Sequence, residues 1–211
     1  MKAFKLIALM TVVCSFAGVA WAADDANVLR ADLYWGFPSG STTVLGAKVE
    51  AQDAFGLDIS YERRVTDVVG MQFGAGYTKY DIDANIDGSK TKVATIDAVP
   101  VYAGILFHPL ARESKVDWYI GAQIIYISYG DLNPEEGGTS LGVADPLTWG
   151  ARTGVDIKFS KSIALNIDVN YMYASANNAL QYYDSETPPN YYTKDLIINP
   201  YNLEVGIAWR F

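Results

Sequence analysis

Cysteine is nearly absent from this chain of 211 residues, because Cys14 is its only one. An intrachain disulfide needs two cysteines, so disulfides contribute nothing to the stability of the fold. Basic residues are also scarce, 16 against 24 acidic ones, which excludes the basic footprint that nucleic-acid binding requires. After residue 20 the sequence contains no long hydrophobic run, and this excludes helices that cross a membrane from that part of the chain.

The first 22 residues have the three parts of a secretory signal peptide. Two lysines within the first five residues precede an apolar run from Leu6 to Ala20, which ends in the A-x-A cleavage site Ala20-Trp21-Ala22. The run of about 15 residues is shorter than the ~20 that a membrane-anchoring helix needs. The sequence therefore predicts a cleaved signal over residues 1–22, export, and one domain over residues 23–211.

Apolar residues alternate with small or polar residues in eight segments of the chain. In the last segment the odd positions from Tyr201 to Phe211 are apolar, and the even positions from Asn202 to Arg210 are small or polar. A period of two is typical of a β-strand with only one apolar face. The eight segments are 29–37, 55–62, 69–78, 93–107, 116–130, 149–159, 163–173 and 201–211.

The connections between these segments alternate between short and long. The short turns are 65–68, 108–115 and 160–162, and the longer, polar connections are 38–53, 83–92, 132–146 and 174–195. Aromatic residues collect at the segment ends, as in the girdles of membrane barrels. We therefore predict an all-β fold, an eight-stranded antiparallel transmembrane β-barrel in the outer membrane of a Gram-negative-type cell, with its long loops outside the cell.

The face predicted to point inward carries charges beside glycines, whereas the outward face is aliphatic with aromatic ends. A soluble lipocalin-like barrel would show the reverse pattern, apolar inside and polar outside. An unpaired buried charge costs several kcal/mol, so we expect the inward charges to pair and to plug the periplasmic half of the lumen; a hydrated ion path is the alternative. The candidate network consists of Arg30, Asp32, Asp58, Glu62, Arg64, Arg152, Asp156, Asp168, Glu204 and Arg210.

The segment 116–130 has an unusually apolar inward face. Its candidate channel residues are Tyr119, Gln123, Ile125, Ile127 and Tyr129. Pro100 and Pro200 interrupt segments that otherwise predict strands, and proline has no N–H to donate to a strand ladder. The two prolines are candidates for a lateral opening towards the outer leaflet; alternatively, they mark bulges at the rim.

Histidine occurs once, at His108, in a predicted periplasmic turn. Barrel enzymes that modify lipid A require a histidine-based site near the outer rim, and no Ser/His/Asp set can be assembled there around His108. Residues 81–92 begin like a calcium loop, but Ile86 occupies the glycine position and Lys92 the position of the final acid. The sequence therefore predicts no enzyme, no cofactor and no metal site.

Several stretches spread over nearly all of residues 23–211 carry a family resemblance. They are Phe55-Gly56-Leu57, Tyr61-Glu62-Arg63-Arg64-Val65-Thr66-Asp67, Val99-Pro100-Val101, Tyr119-Ile120-Gly121-Ala122, Gly154-Val155-Asp156, Leu165-Asn166-Ile167-Asp168-Val169, Asn199-Pro200-Tyr201 and Trp209-Arg210-Phe211. In their order and spacing the chain resembles the OmpW family of small outer-membrane barrels. The resemblance implies eight strands and a narrow apolar channel for small hydrophobic molecules, with no cofactor and no catalytic residues. It also implies that the barrel-assembly machinery recognises the last strand, in which Trp209 and Phe211 act as membrane anchors.

Two functional hypotheses follow from these observations. The first is a channel for a small hydrophobic ligand. The second is a non-transporting surface barrel whose extracellular loops mediate adhesion or interaction. Both hypotheses predict contact with outer-membrane lipid and lipopolysaccharide, and neither predicts a nucleic-acid partner.

Overall fold

The computed structural model describes residues 26–44, 46–86, 88–130, 133–134, 146–184 and 190–211. The predicted signal peptide over residues 1–22 lies outside these ranges and stays a prediction. Within the described ranges, no helix has the length and apolar character needed to cross a membrane.

Extended strands account for most of the described residues. In chain order they are β1 (Asn27–Pro38), β2 (Thr42–Val44), β3 (Ala47–Ala51), β4 (Ala54–Arg64), β5 (Val69–Ile86), β6 (Ser89–Phe107), β7 (Val116–Tyr129), β8 (Asn133–Pro134), β9 (Leu147–Lys158), β10 (Ile163–Met172), β11 (Ser175–Asp184), β12 (Asn190–Ile197) and β13 (Pro200–Arg210).

Eight of these strands close into a barrel, which confirms the predicted fold. Each of β1, β4, β5, β6, β7, β9, β10 and β13 pairs antiparallel with two neighbours in that order. The first and last strands join from Val28↔Arg210 to Pro38↔Pro200. Closure continues beyond this ladder, because the backbones of Asn27 and Phe211 donate to each other over 3.2 and 3.0 Å. A closed barrel has no unpaired edge, so it satisfies the backbone polar groups inside a membrane.

The predicted alternation of faces is also confirmed. In β13, Leu203, Val205 and Trp209 are exposed, whereas Glu204 and Ala208 are buried inside. The outward residues of all eight strands together make a continuous apolar surface, in which Phe55 is 75% exposed. Contiguous apolar surface beyond a few hundred Å² marks an interaction or membrane surface. This belt is therefore the lipid-facing surface of the barrel.

The extracellular connections contain more strand than the sequence predicted. The predicted loop 83–92 is mostly strand, because β5 and β6 are 18 and 19 residues long and meet in a turn at Gly88, whose φ is +86°. A membrane-crossing strand needs only about 9–11 residues, so this hairpin projects well beyond the bilayer. The predicted loop 38–53 contains the hairpin β2–β3, and the hairpin β11–β12 overlaps the predicted loop 174–195 and ends at Ile197. Polar residues form these strands because a neighbouring strand is available to pair with them.

The projecting hairpin is tied to the β2–β3 hairpin by charged side chains. Lys48 Nζ lies 2.5 Å from Glu50 Oε2, and Lys90 Nζ lies 2.6 Å from Glu50 Oε1. Hydrogen bonds from the two lysines lower the pKa of Glu50 to about 2, well below its usual value, and the hydrogen bond from Lys48 has the larger effect. The carboxylate thus links β3 to β6 outside the membrane.

Candidate functional site in the barrel lumen

The lumen is divided along its axis into three levels, and the lowest is an ionic layer at the periplasmic end. We call it the periplasmic layer; its members are Arg30, Glu62, Arg64, His108, Asp117, Asp156 and Arg210. Arg30 Nη2 lies 2.9 Å from Glu62 Oε2 and 2.8 Å from Asp156 Oδ2. Arg210 Nη2 lies 2.7 Å from both Asp117 Oδ2 and Asp156 Oδ2. All of these side chains are buried, so the layer fills the lumen with paired charge.

His108 belongs to this layer, although the sequence predicted only a turn residue. Its side chain is fully buried, with Nε2 2.8 Å from Glu62 Oε1 and Nδ1 3.0 Å from Asp117 Oδ1. The reason is that His108 N donates to Val68 O over 2.8 Å and so extends the inward parity of β6 by one residue. Asp117 was missed as a network member, although it shares the parity of Tyr119. It contacts Arg64 as well as Arg210.

A second ionic layer lies directly above the first and is centred on Arg152. We call it the middle layer; it comprises Asp32, Asp58, Tyr102, Tyr119, Arg152, Asp168 and Glu204. Arg152 donates from Nε to Asp168 Oδ2 over 3.0 Å and from Nη2 to Glu204 Oε2 over 2.9 Å. Its Nη1 donates to the hydroxyl of Tyr102 over 3.1 Å. One guanidinium thus bridges three different strands across the lumen.

Two tyrosines complete the hydrogen bonding of the middle layer. Tyr102 donates to Asp58 Oδ2 over 2.6 Å, and Tyr119 donates to Asp168 Oδ2 over 2.8 Å. Their rings fit because glycines face them: a Cβ at Gly74 would lie 2.4 Å from Tyr102 Cζ, and one at Gly154 would lie 2.5 Å from the Tyr119 hydroxyl. The inward glycines therefore make room for these rings in a narrow lumen.

The expectation that every inward charge pairs is wrong for Asp32. This side chain is only 3% exposed, and among the described residues neither of its carboxylate oxygens has a hydrogen-bond partner. The reason is local composition, since the middle layer holds more carboxylates than its one guanidinium can pair.

The third level is an apolar chamber in the extracellular half of the lumen. It is built of buried aliphatic and aromatic side chains, and its internal space is only about 10 Å³. That volume is close to the room that a single water molecule needs, so side chains nearly fill the chamber. Its lining residues are Tyr34, Thr78, Tyr80, Ala98, Pro100, Ile127, Tyr129, Met172, Ala174, Ile198 and Pro200.

The five predicted channel residues divide between these levels. Tyr119 lies in the middle layer, where its hydroxyl also accepts from Asn166 Nδ2 over 2.8 Å. Ile127 and Tyr129 line the chamber, and Ile125 is buried in the same apolar cluster. Gln123 is buried one inward position below Ile125, at the border between charge and apolar surface.

Both predicted proline sites line the chamber, and each accompanies an irregularity of the wall. The β5–β6 ladder runs to Ala75↔Val101 and resumes at Thr78↔Ala98, so Pro100 lies in a two-residue gap. Its ring packs on Gly76, where a Cβ would lie 3.3 Å from Pro100 Cγ.

Pro200 follows a bulge at the start of β13. Asn199 has φ +40°, and the backbone N–H groups of Ile198 and Asn199 both donate to Ala174 O over 3.0 Å. The pairing of β13 with β10 ends one residue below Pro200, at Tyr171↔Tyr201. The chamber therefore lies behind the less regular part of the barrel wall.

Both the sequence and the fold of this barrel are similar to those of known outer-membrane proteins. The sequence pattern of the OmpW family matches residues 20–211. The chain belongs to the OmpW family. Its fold is similar to the crystal structure of the outer membrane protein OprG from Pseudomonas aeruginosa, with 19% identity and a TM-score of 0.74 over 90% of this chain and 98% of that chain.

Two further structures share the fold of this OmpW-family chain. The outer membrane protein AlkL, determined in lipid bilayers, is 18% identical, with a TM-score of 0.59 over 91% of this chain and 92% of that chain. Outer membrane protein W from E. coli is 19% identical, with a TM-score of 0.51 over 89% of this chain and 98% of that chain. No curated protein matches the chain.

Family membership places the barrel among outer-membrane proteins in contact with lipid. OmpW-family barrels are generally channels or surface proteins and not enzymes.

At the periplasmic mouth of this barrel, a cavity of about 420 Å³ is lined mainly by basic residues and reaches Arg210 of the periplasmic layer. The lumen therefore changes from basic to ionic to apolar along its axis.

Proposed function

We propose that this OmpW-family barrel admits small hydrophobic molecules from outside the cell into the chamber and releases them sideways through its wall into the outer leaflet. The observation that carries the proposal is the placement of both Pro100 and Pro200 on one apolar chamber, directly above a lumen filled with ionic side chains.

An axial route to the periplasm is disfavoured by the two ionic layers. A solute moving along the axis would have to separate contacts such as Arg152–Glu204 and Arg30–Asp156, at 2.9 and 2.8 Å. Removing the partner of a buried charge costs about 3–5 kcal/mol, and an apolar solute offers no replacement contact. The lateral route leaves both layers intact.

Opening the wall beside the chamber breaks fewer hydrogen bonds than opening the wall elsewhere in the barrel. Pro100 has no N–H to donate, and the ladder between β5 and β6 is already interrupted beside it. The chamber itself must widen, because it holds only about 10 Å³. Met172 in its lining has an unbranched, adaptable side chain that suits such a rearrangement.

The test is transport by barrels in which the prolines are replaced. Pro100→Val and Pro200→Val each restore a backbone N–H, and we expect the double variant to slow uptake of the fluorescent hydrophobic probe N-phenylnaphthylamine into barrel-containing vesicles about tenfold. Pro109→Ala, in the exposed periplasmic turn, is the matched control and should leave uptake unchanged. Unchanged uptake in the double variant, with amide exchange showing a fully hydrogen-bonded wall, would refute the lateral route.

The long β5–β6 hairpin favours the surface-barrel hypothesis as a second candidate. Strands of 18 and 19 residues extend beyond the bilayer and expose polar side chains there, Lys79 and Lys90 among them, to partners outside the cell. Shortening the hairpin by deleting residues 83–92 separates the two functions. Loss of binding to host cells by this variant, with no probe uptake above lipid alone in the wild type, would favour the surface function.

A further inference from the structure

The two ionic layers differ in their balance of charge. The periplasmic layer matches three carboxylates with three guanidinium groups and His108. The middle layer contains four buried carboxylates and a single guanidinium, that of Arg152; the carboxylates are those of Asp32, Asp58, Asp168 and Glu204. The excess of negative charge in the described lumen is therefore concentrated at one level.

Asp32 is the clearest member of this excess. It is 97% buried, and neither of its oxygens accepts a hydrogen bond from the described residues. Arg30, two residues earlier, donates to Asp156 in the layer below. One oxygen of Asp32 lies within 4.8 Å of an oxygen of Asp58 and of an oxygen of Glu204, all three being mutually within that distance.

We propose that Asp32, Asp58 and Glu204 bind a hard cation of the calcium class. Calcium takes carboxylate oxygens at about 2.3–2.6 Å, so two ligands on opposite sides of one ion lie about 4.8 Å apart. The three oxygens of this cluster meet that limit. A divalent cation also offsets most of the uncompensated charge, which would otherwise cost several kcal/mol in a buried place. The site differs from a calcium loop, whose ligands follow one another in the chain, because its three ligands come from three separate strands.

The site lies on the seam where the barrel closes. Asp32 is on β1, directly opposite Asp58 on β4, and Glu204 is on β13, the strand that pairs with the other side of β1. A cation held by these three side chains therefore connects the first strand to the last. Its binding stabilises the closed barrel.

The experiment is thermal unfolding of the barrel refolded in zwitterionic detergent without lipopolysaccharide. The unfolding midpoint is compared in three solutions, which contain calcium chloride, sodium chloride of equal ionic strength, or a chelator. We expect calcium to raise the midpoint of the wild type by several degrees and sodium chloride to leave it unchanged. Asp32→Asn removes the unpaired charge, so this variant should be more stable than the wild type in chelator and should bind calcium at least about tenfold more weakly, because calcium affinity follows the ligand charge.

Asp156→Asn is the matched control, because Asp156 is equally buried but lies in the periplasmic layer between Arg30 and Arg210. This variant should be destabilised yet keep the calcium-dependent rise. If Asp32→Asn does not fold, Asp58→Asn should show the same loss of calcium response. A wild type without any calcium response would overturn the proposal. The excess negative charge of the cluster would then be neutralised by protons shared between the carboxylates. An equal response in wild type and Asp32→Asn would also overturn it, by locating calcium elsewhere.

Discussion

Replacement of Arg152 by methionine should be among the most damaging single changes in the lumen. Its guanidinium contacts Asp168 at 3.0 Å, Glu204 at 2.9 Å and the hydroxyl of Tyr102 at 3.1 Å. Methionine keeps much of the volume of the side chain but none of these contacts. The substitution leaves the two carboxylates buried without their cation.

The magnitude follows from what is left unpaired. Breaking a buried ion pair by removing one partner costs about 3–5 kcal/mol, and Arg152 serves two carboxylates. We therefore expect Arg152→Met to lower the free energy of unfolding by at least about 3–5 kcal/mol. Asp168→Asn in the same chain removes one uncompensated charge, and its amide oxygen can still accept from Tyr119. The double variant should recover about 1–3 kcal/mol relative to Arg152→Met alone, the usual range for coupled contacts.

The assay is urea unfolding of barrels refolded in lipid vesicles, followed by the heat-modifiable mobility of the folded band, with chelator present throughout. Arg63→Met is the control, since Arg63 is exposed on the outward face, and it should change stability by less than about 0.5 kcal/mol. A double variant no more stable than Arg152→Met would refute the view that this network pairs charge across the lumen.

Three further changes test the lipid face, the seam and the projecting hairpin. Val205→Arg places a charge on the exposed face of β13 and should cost about 2–4 kcal/mol near mid-bilayer in urea unfolding; Ala208→Ser on the inward face should cost less, and equal costs would contradict the assignment of faces. Deleting Phe211 removes its two backbone bonds across the seam, so gels should show less folded band; an unchanged yield would count against this role. The two lysines lower the pKa of Glu50 to about 2. Its ion pairs therefore contribute fully to the stability of the hairpin above the ordinary pKa of a glutamate, and this contribution is lost as the pH falls through about 2. Protease cleavage of the hairpin should therefore increase in acid in the wild type, whereas Glu50→Gln should be cleaved similarly above and below that range.

The sequence alone determined the eight barrel strands and the direction of their faces. A period of two is a local property, so Val205 outside and Glu204 inside could be assigned from neighbours in the chain. The number of strands followed from counting such segments, and the lipid-facing belt followed from their apolar side. The parity of β7 also placed Asp117 on the inward face within the predicted segment, and extending the alternation of β6 one residue past Phe107 would have found His108.

Only the tertiary structure decided which charges meet. Arg152 and Glu204 are 52 residues apart in the chain, and their contact depends on closure of the barrel and on the height of each strand. The same closure collects Asp32, Asp58 and Glu204 at a level where Arg152 is the one guanidinium among the described residues, although we expected the inward charges to pair. The long hairpin of β5 and β6 likewise depends on pairing between polar segments with little strand pattern of their own. These features rest on register and on the narrow width of the lumen, which no local pattern in the chain encodes.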